Sequence, residues 1–166
     1  EFIDALRFRC RVPLVRESVP CFCGAALPVT PASSIHILSC SSVTGITKLH
    51  RHNLVCGSLA NAFACAGISS IAEPSIYNYD GDRRCRPDFT LLVSGAPVAI
   101  DVTVVAPVSE PGKAAQDAAE AKKEKHGDAV KALGHTFLPI AMEAGGHCDA
   151  ALDRLGAISG ITACGL

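Results

Sequence analysis

Two segments rich in strand-forming residues, in the middle of the chain, limit the folds that it can adopt. The segments DFTLLV and PVAIDVTVV are rich in β-branched residues, and the letters between them are typical of a turn. The pattern predicts a β-hairpin over residues 88–105. Because side chains alternate between the two faces of a strand, Asp101 and Thr103 share one face. Their neighbours Ile100 and Val102 then point into a core on the other.

Helical and extended patterns alternate around this hairpin. Thr47 and Gly67 are suitable residues to begin and end a helix over 47–66. The remaining predicted elements are a short helix over 2–9, a short strand over 68–73, an alanine-rich helix over 112–134, a strand over 136–142 and an amphipathic helix over 147–158. This order predicts an α/β fold in which helices flank a small mixed β-sheet.

Composition narrows the class of protein. With 166 residues, of which 49% are hydrophobic, the chain is long enough for one domain with a sizeable core. No apolar run is long enough to cross a membrane, so we expect no membrane partner. The net charge of −1 lacks the basic excess of a free-standing DNA binder. Because the chain begins at Glu1 rather than at methionine, we expect it to be part of a longer polypeptide.

Four of the nine cysteine and six histidine residues form a pattern typical of a metal site. Cys21, Cys23, His36 and Cys40 supply a Cys₃His set that suits tetrahedral Zn²⁺. Because the protein ligands fill all four coordination positions and leave none for water, we expect the zinc to be structural. The pattern also predicts that residues 21–45 form a loop-rich knuckle. The alternative is a pair of buried free thiols beside an unrelated histidine. The sequence also offers three substitute ligands: Cys10, His50 and His52. An odd cysteine count is a poor disulfide framework and favours a reducing compartment.

Two carboxylates come together if the hairpin forms. Asp88 opens the first strand and Asp101 lies inside the second, where an ionised carboxylate among apolar residues is costly unless it is paired. Two such oxygens suit Mg²⁺. The alternative is that Asp88 caps a turn and Asp101 lies on an exposed face.

Basic residues cluster on the alanine-rich helix that follows the hairpin. Lys122, Lys123, Lys125 and His126 fall on about one turn. Such a cluster is usually a solvated helix face. The functional interpretation is that one lysine reaches over the carboxylate pair and steadies a phosphate.

The ordered series of these motifs resembles one family. CxC, HxxxC, RH at 51–52, RPDF at 86–89, DVTV at 101–104 and KKEKH at 122–126 follow one another as in the restriction-like endonuclease domain of site-specific non-LTR retrotransposon polyproteins. That domain belongs to the PD-(D/E)xK nucleases. The resemblance implies a zinc knuckle within residues 1–45 and a restriction-endonuclease-like core over 46–166.

The resemblance also implies roles for individual residues. Asp88 and Asp101 would hold the catalytic Mg²⁺, with Glu73 as a further acid. Lys123 matches the family's lysine, with Lys122 and Lys125 as alternatives, and His126 stands where the family has tyrosine. The implied nucleic-acid contacts are Arg51, His52, Arg86 and Lys125.

The implied activity is nicking of DNA to leave a 3′-hydroxyl. A reverse transcriptase and DNA-binding domains upstream in the same polypeptide would use this end, which implies a nuclear location. Three departures from the family favour an alternative, a catalytically inactive nuclease-fold module that binds nucleic acid. They are Asn53 in place of aspartate, His126 in place of tyrosine, and Thr103 where many of these nucleases have lysine. A second alternative is a structural zinc domain, which a salt bridge to Asp101, from Arg86 for example, would favour.

Overall fold

The computed structural model describes residues 13, 15–74, 86–107 and 110–159. Its elements, in chain order, are β1 (Val19–Pro20), β2 (Ala26–Leu27), α1 (Pro31–Ser39), α2 (Ser41–Cys65), β3 (Ser70–Ala72), β4 (Phe89–Val93), β5 (Ala96–Val105), α3 (Lys113–Ala132), β6 (Thr136–Glu143) and α4 (Ala151–Ser159). The predicted α/β class is confirmed. The short helix predicted over 2–9 lies outside the described residues.

The main sheet has four strands in the order β3-β4-β5-β6. The first three run antiparallel to their neighbours, and β6 pairs parallel with β5. A parallel pair needs a crossover connection, and α3 supplies it. This is the small mixed sheet that the sequence predicts. Pro139 lies in β6, an edge strand, where a missing N–H need not break a ladder.

The predicted hairpin is confirmed, with a turn of two residues. Ser94 and Gly95 both have positive φ, 49° and 81°, which is the backbone of a type I′ turn. Val93 then pairs with Ala96, and the same register pairs Phe89 with Ile100. The turn therefore sets which residues of the two strands face each other.

Helices cover both faces of the sheet. On one face, α2 and α4 pack against the hairpin and β6, and the buried residues include Leu59, Phe63, Ile100, Ile140 and Leu155. Phe63 and Phe89 meet edge to face, with ring centroids 5.8 Å apart. On the other face, small side chains let α3 lie close to β5 and β6: Ala99, Ala115, Ala119 and Ala141. Asp101 belongs to this second face, as the alternation predicts.

The long helix α2 differs from its prediction at its start. It begins at Ser41 rather than at Thr47, directly after Cys40. The predicted end is confirmed, because Gly67, at φ 68°, follows the last turn. The predicted boundary between residues 45 and 46 lies inside this helix. Within the described residues, no helix has both the length and the apolar character needed to span a membrane.

The knuckle segment is also more regular than predicted. Residues 21–45 contain α1 and the first turns of α2 rather than loops. Pro31 at the first position of α1 suits a helix start, because the N–H that proline lacks has no partner within the helix there. We expected little structure because the apolar residues of this segment show no helical period.

Candidate metal and carboxylate sites

The four predicted zinc ligands lie together. The ligand atoms of Cys21, Cys23, His36 and Cys40 are all within 4.8 Å of one another. The two sulfurs of Cys21 and Cys40 are 3.6 Å apart, and Cys23 Sγ is 3.3 Å from His36 Nε2. A tetrahedral zinc with Zn–S of about 2.3 Å and Zn–N of about 2.0 Å separates such ligand pairs by roughly 3.5–3.8 Å. The donor set and spacing are consistent with a zinc site.

Local structure explains why these four residues meet. Cys21 and Cys23 lie on the turn between β1 and β2, where Gly24 takes a φ of 87° and donates its N–H to the Cys21 carbonyl at 2.8 Å. His36 is one helical turn before Cys40, which stands between α1 and α2. A tight turn thus faces one side of a helix.

Clustering of these thiols has an electrostatic consequence. A backbone hydrogen bond from Cys23 lowers the pKa of Cys21, but desolvation and the thiols of Cys40 and Cys23 outweigh it and raise this pKa above its ordinary value. Thiolates this close repel one another, and a divalent cation between them removes that cost. The cluster is therefore a metal-binding candidate consistent with zinc.

The two predicted carboxylates also come together. The register of the hairpin brings Asp88, one residue before β4, level with Asp101. Both side chains are largely buried, at 19% and 10% exposure. Desolvation comes first among the causes that raise the pKa of Asp101, and the neighbouring Asp88 carboxylate raises it further. The pair is thus a concentrated negative charge at one end of the hairpin.

Asp88 has two partners that hold its carboxylate in place. Its Oδ2 accepts the N–H of Val102 at 2.6 Å, and its Oδ1 lies 3.1 Å from Nε2 of His52 on α2. Burial tends to raise the pKa of Asp88, but these two contacts outweigh it, and the pKa lies below its ordinary value. In return, the hydrogen bond that the His52 ring donates to Asp88 is the largest cause that raises the pKa of His52 to about 10.

Lys122 on α3 reaches Asp101. Its Nζ lies 2.7 Å from Asp101 Oδ2, and its side chain is 32% exposed. Lys123 and Lys125, by contrast, are exposed. Lys123 lines a separate groove between α3 and the start of α4, together with Cys148 and Arg154. Of the three candidate lysines, the structure brings Lys122 to the carboxylate pair.

His126 follows Lys122 by one turn and is buried against the sheet. Its ring meets Phe137 edge to face at 6.3 Å, and its Nδ1 has no hydrogen-bond partner among the described residues. Burial, followed by the charges of Lys122 and Lys125, lowers its pKa. His126 therefore shares the inner face of α3 with Lys122 as a neutral ring.

Glu73 is next to Asp88, because its N–H donates to the Asp88 carbonyl at 2.8 Å, but its carboxylate pairs with Arg86. Its side chain is 74% exposed and accepts a hydrogen bond from Arg86 at 3.2 Å. Among the described residues, it does not belong to either group of close metal-type ligands. Glu73 and Arg86 line a cleft of about 280 Å³ that also contains Pro87 and Asp88. In the described part of the chain, Arg86 thus pairs with Glu73, and the salt bridge to Asp101 comes from Lys122 instead.

Arg51 holds the knuckle to the core. Its guanidinium donates to the carbonyl of Leu38 on α1 at 3.2 Å, and burial lowers its pKa. Both Arg51 and His52, predicted as nucleic-acid contacts, have partners inside the protein. Lys125 is the exposed member of that predicted set.

Two residues near these sites were not predicted from the sequence. A free cysteine in a helix is usually a small apolar packing residue, but the Sγ of Cys56 lies 3.5 Å from His52 Nε2. The sequence does contain a signal for this contact, because His52 and Cys56 are four residues apart in a helix and so share a face. Glu143 is buried and accepts the N–H of Ala114 at 3.2 Å, in the first turn of α3. No local pattern marks Glu143, because the helix start that it caps is distant in sequence.

Comparison with protein-family models and with curated proteins returned no match to this chain. The geometry of the two sites is therefore the basis for inferring a function.

Proposed function

We propose that this chain is a metal-dependent DNA endonuclease domain with a restriction-like core, from the polyprotein of a non-LTR retrotransposon. The observation that carries the proposal is the group Asp88, Asp101 and Lys122. Two buried carboxylates adjoin at the end of a hairpin, and an ammonium from the next helix lies 2.7 Å from one of them. PD-(D/E)xK nucleases need these groups, and the ordered motifs of the sequence support the same family.

The carboxylate pair fits a hard divalent cation. Mg²⁺ takes oxygen ligands and commonly binds proteins through one or two carboxylates. When bound, such a cation supplies the charge that polarises a phosphodiester and makes the attacking water more acidic. Asp88 and Asp101 would hold it, and the Val102 N–H fixes the orientation of Asp88.

Lys122 would act on the phosphate. Its ammonium stands at the carboxylate pair on a rigid helix, so it can stabilise the charge that develops on the scissile phosphate without large rearrangement. The resemblance matches Lys123 to the family's lysine, but Lys123 is exposed and lines the other groove. The geometry therefore favours Lys122 in this role, with Lys123 free to meet solvent or nucleic acid.

The cleft beside Asp88 is suited to a nucleic-acid backbone. Arg86 lies in its wall, and its side chain is 31% exposed. A guanidinium in this position can donate to a phosphate oxygen. Because the net charge is −1, we expect the domain alone to bind DNA weakly and to depend on upstream domains for its target.

A second candidate is an inactive nuclease-fold module that binds nucleic acid. The two ion pairs favour it, because His52 and Lys122 already neutralise Asp88 and Asp101. In this case the carboxylates serve packing, and Mg²⁺ binding has no role.

Nicking of supercoiled plasmid by the purified chain separates the two candidates. The assay would be run with and without Mg²⁺, beside Asp101→Asn, which keeps the shape of the side chain. Zinc content and circular dichroism of both proteins would verify that they are folded. Mg²⁺-dependent nicking that disappears in the folded variant supports the nuclease. A folded wild type that neither nicks DNA nor binds Mg²⁺ supports the inactive module.

A further inference from the structure

Three metal-type ligands converge beside the carboxylate pair, apart from the zinc knuckle. They are His52 Nε2, Cys56 Sγ and one carboxylate oxygen of Asp88, all within 4.8 Å of one another. The imidazole lies 3.1 Å from Asp88 Oδ1 and 3.5 Å from the sulfur. We propose that these residues form a second transition-metal site, which binds Zn²⁺ or a similar soft divalent ion.

The spacing supports this proposal. Around a tetrahedral zinc with ordinary bond lengths, nitrogen and sulfur are separated by about 3.6 Å, and nitrogen and carboxylate oxygen by about 3.4 Å. The two observed separations from the imidazole nitrogen differ from these values by a few tenths of an ångström, and the third, from sulfur to carboxylate, is below 4.8 Å. His52 and Cys56 also stand one turn apart on the rigid helix α2, which fixes their relative position.

The chemistry of the ligands selects the ion. A thiolate and an imidazole favour zinc-class metals, whereas Mg²⁺ prefers oxygen. Three protein ligands leave a fourth position for water or a phosphate oxygen, unlike the closed Cys₃His set of the knuckle. Protons compete with a metal ion for thiolate and imidazole ligands, so affinity decreases as pH falls.

The site shares Asp88 with the proposed nuclease centre. A zinc ion held by His52 and Cys56 takes the Asp88 oxygen and places a second positive charge next to the position for Mg²⁺. Zinc at this site therefore inhibits nicking, a consequence that depends on the proposed function. The metal site itself does not.

The first test is a cobalt titration of the full 166-residue chain, with the knuckle first loaded with zinc. Co²⁺ is a spectroscopic substitute for zinc, and a thiolate ligand gives a charge-transfer band in the near ultraviolet. We expect one further equivalent of Co²⁺ with a single-thiolate band. Cys56→Ser removes this equivalent, whereas Cys65→Ser, an exposed cysteine of the same helix, retains it. Retained zinc, measured afterwards, confirms that cobalt has not replaced the knuckle metal.

A wild type that binds no further equivalent, or a Cys56→Ser chain that binds it unchanged, overturns the site. The second test measures how many-fold one added equivalent of zinc lowers Mg²⁺-dependent nicking. We expect at least a tenfold decrease in the wild type and in Cys65→Ser, and little change in Cys56→Ser. Equal inhibition of all three overturns the sharing of Asp88. Absence of nicking in the wild type contradicts the proposed function and leaves the cobalt result to decide the site.

Discussion

At the scale of single residues, the environment of a side chain separates Lys122 from its neighbours. The three lysines of this turn are alike in sequence, and the family pattern alone points to Lys123. The helix places Lys122 on its inner face, four residues before the buried His126, whereas Lys123 and Lys125 face solvent. A difference of one position on a helix, about 100°, therefore decides which ammonium meets Asp101.

This difference gives the first prediction. Lys122→Ala lowers the rate of Mg²⁺-dependent nicking by about 10²-fold or more, because it removes a donor aimed at developing charge. Lys123→Ala, the matched control on the exposed face, changes the rate only a few-fold. Rates of single-turnover nicking by zinc-loaded proteins would measure both. A larger loss in Lys123→Ala would return the role to the residue that the family pattern selects.

The second prediction concerns the ion pair between Lys122 and Asp101. Lys122→Met leaves Asp101 buried without its cation and lowers the free energy of unfolding, measured by urea denaturation without Mg²⁺. Adding Asp101→Asn restores much of the loss, because the double variant has no unpaired charge. Losses that simply add would show that the two side chains do not interact.

The third prediction is a titration of His52. Its pKa is raised to about 10, so the folded chain holds the proton more tightly than the unfolded chain, whose ordinary value is 6.5. The resulting stability is complete below about pH 6.5 and is lost as pH rises through about 10. Nuclear magnetic resonance of the His52 ring should give the high midpoint, and Asp88→Asn should move it towards the ordinary value. A midpoint near 6.5 in the wild type would contradict the ion pair.

At the scale of elements, the hairpin turn controls how the carboxylates face each other. Gly95 has a φ of 81° and open space where a Cβ would stand, so a substitution there costs backbone strain alone. The fourth prediction is that Gly95→Ala lowers the free energy of unfolding by about 1 kcal/mol. Gly57→Ala, in the exposed middle of α2, should raise it by a similar amount. Thermal unfolding of both variants would test the opposite signs.

The sequence predicts these elements unevenly. Local chemistry predicts the strands of the hairpin and the helix ends at Gly67 and Gly134. The reason is that β-branched residues favour strands and glycine accepts positive φ. Helix α1 was missed because the segment around His36 and Cys40 lacks apolar periodicity. The contact between His52 and Cys56 has a local signal, their spacing of four residues in a helix. The contact of Glu143 depends on a helix start distant in the chain, which no local pattern reveals.

At the scale of the whole molecule, Cys40 links the metal cluster to the core. It is the last knuckle ligand and immediately precedes α2, the helix that carries Arg51 and His52 and packs through Phe63 against the sheet. The fifth prediction is that a zinc chelator increases amide hydrogen exchange in β1, β2 and α1, while β5 stays protected. Hydrogen-exchange mass spectrometry would measure this. Exchange that rises equally in β5 would mean that the core itself requires the metal.

The topology of the sheet also sets an order of assembly. Strands β4 and β5 are joined by two residues, whereas β6 can pair with β5 only after the whole of α3 has crossed over. Closing the short connection costs less chain entropy, so the hairpin should form early and the parallel pair late. Asp88 and Asp101 would then meet before Lys122 arrives to neutralise them. In a nascent chain, the two carboxylates would repel each other until the crossover helix docks. Dissolved cations would weaken this repulsion and so speed folding.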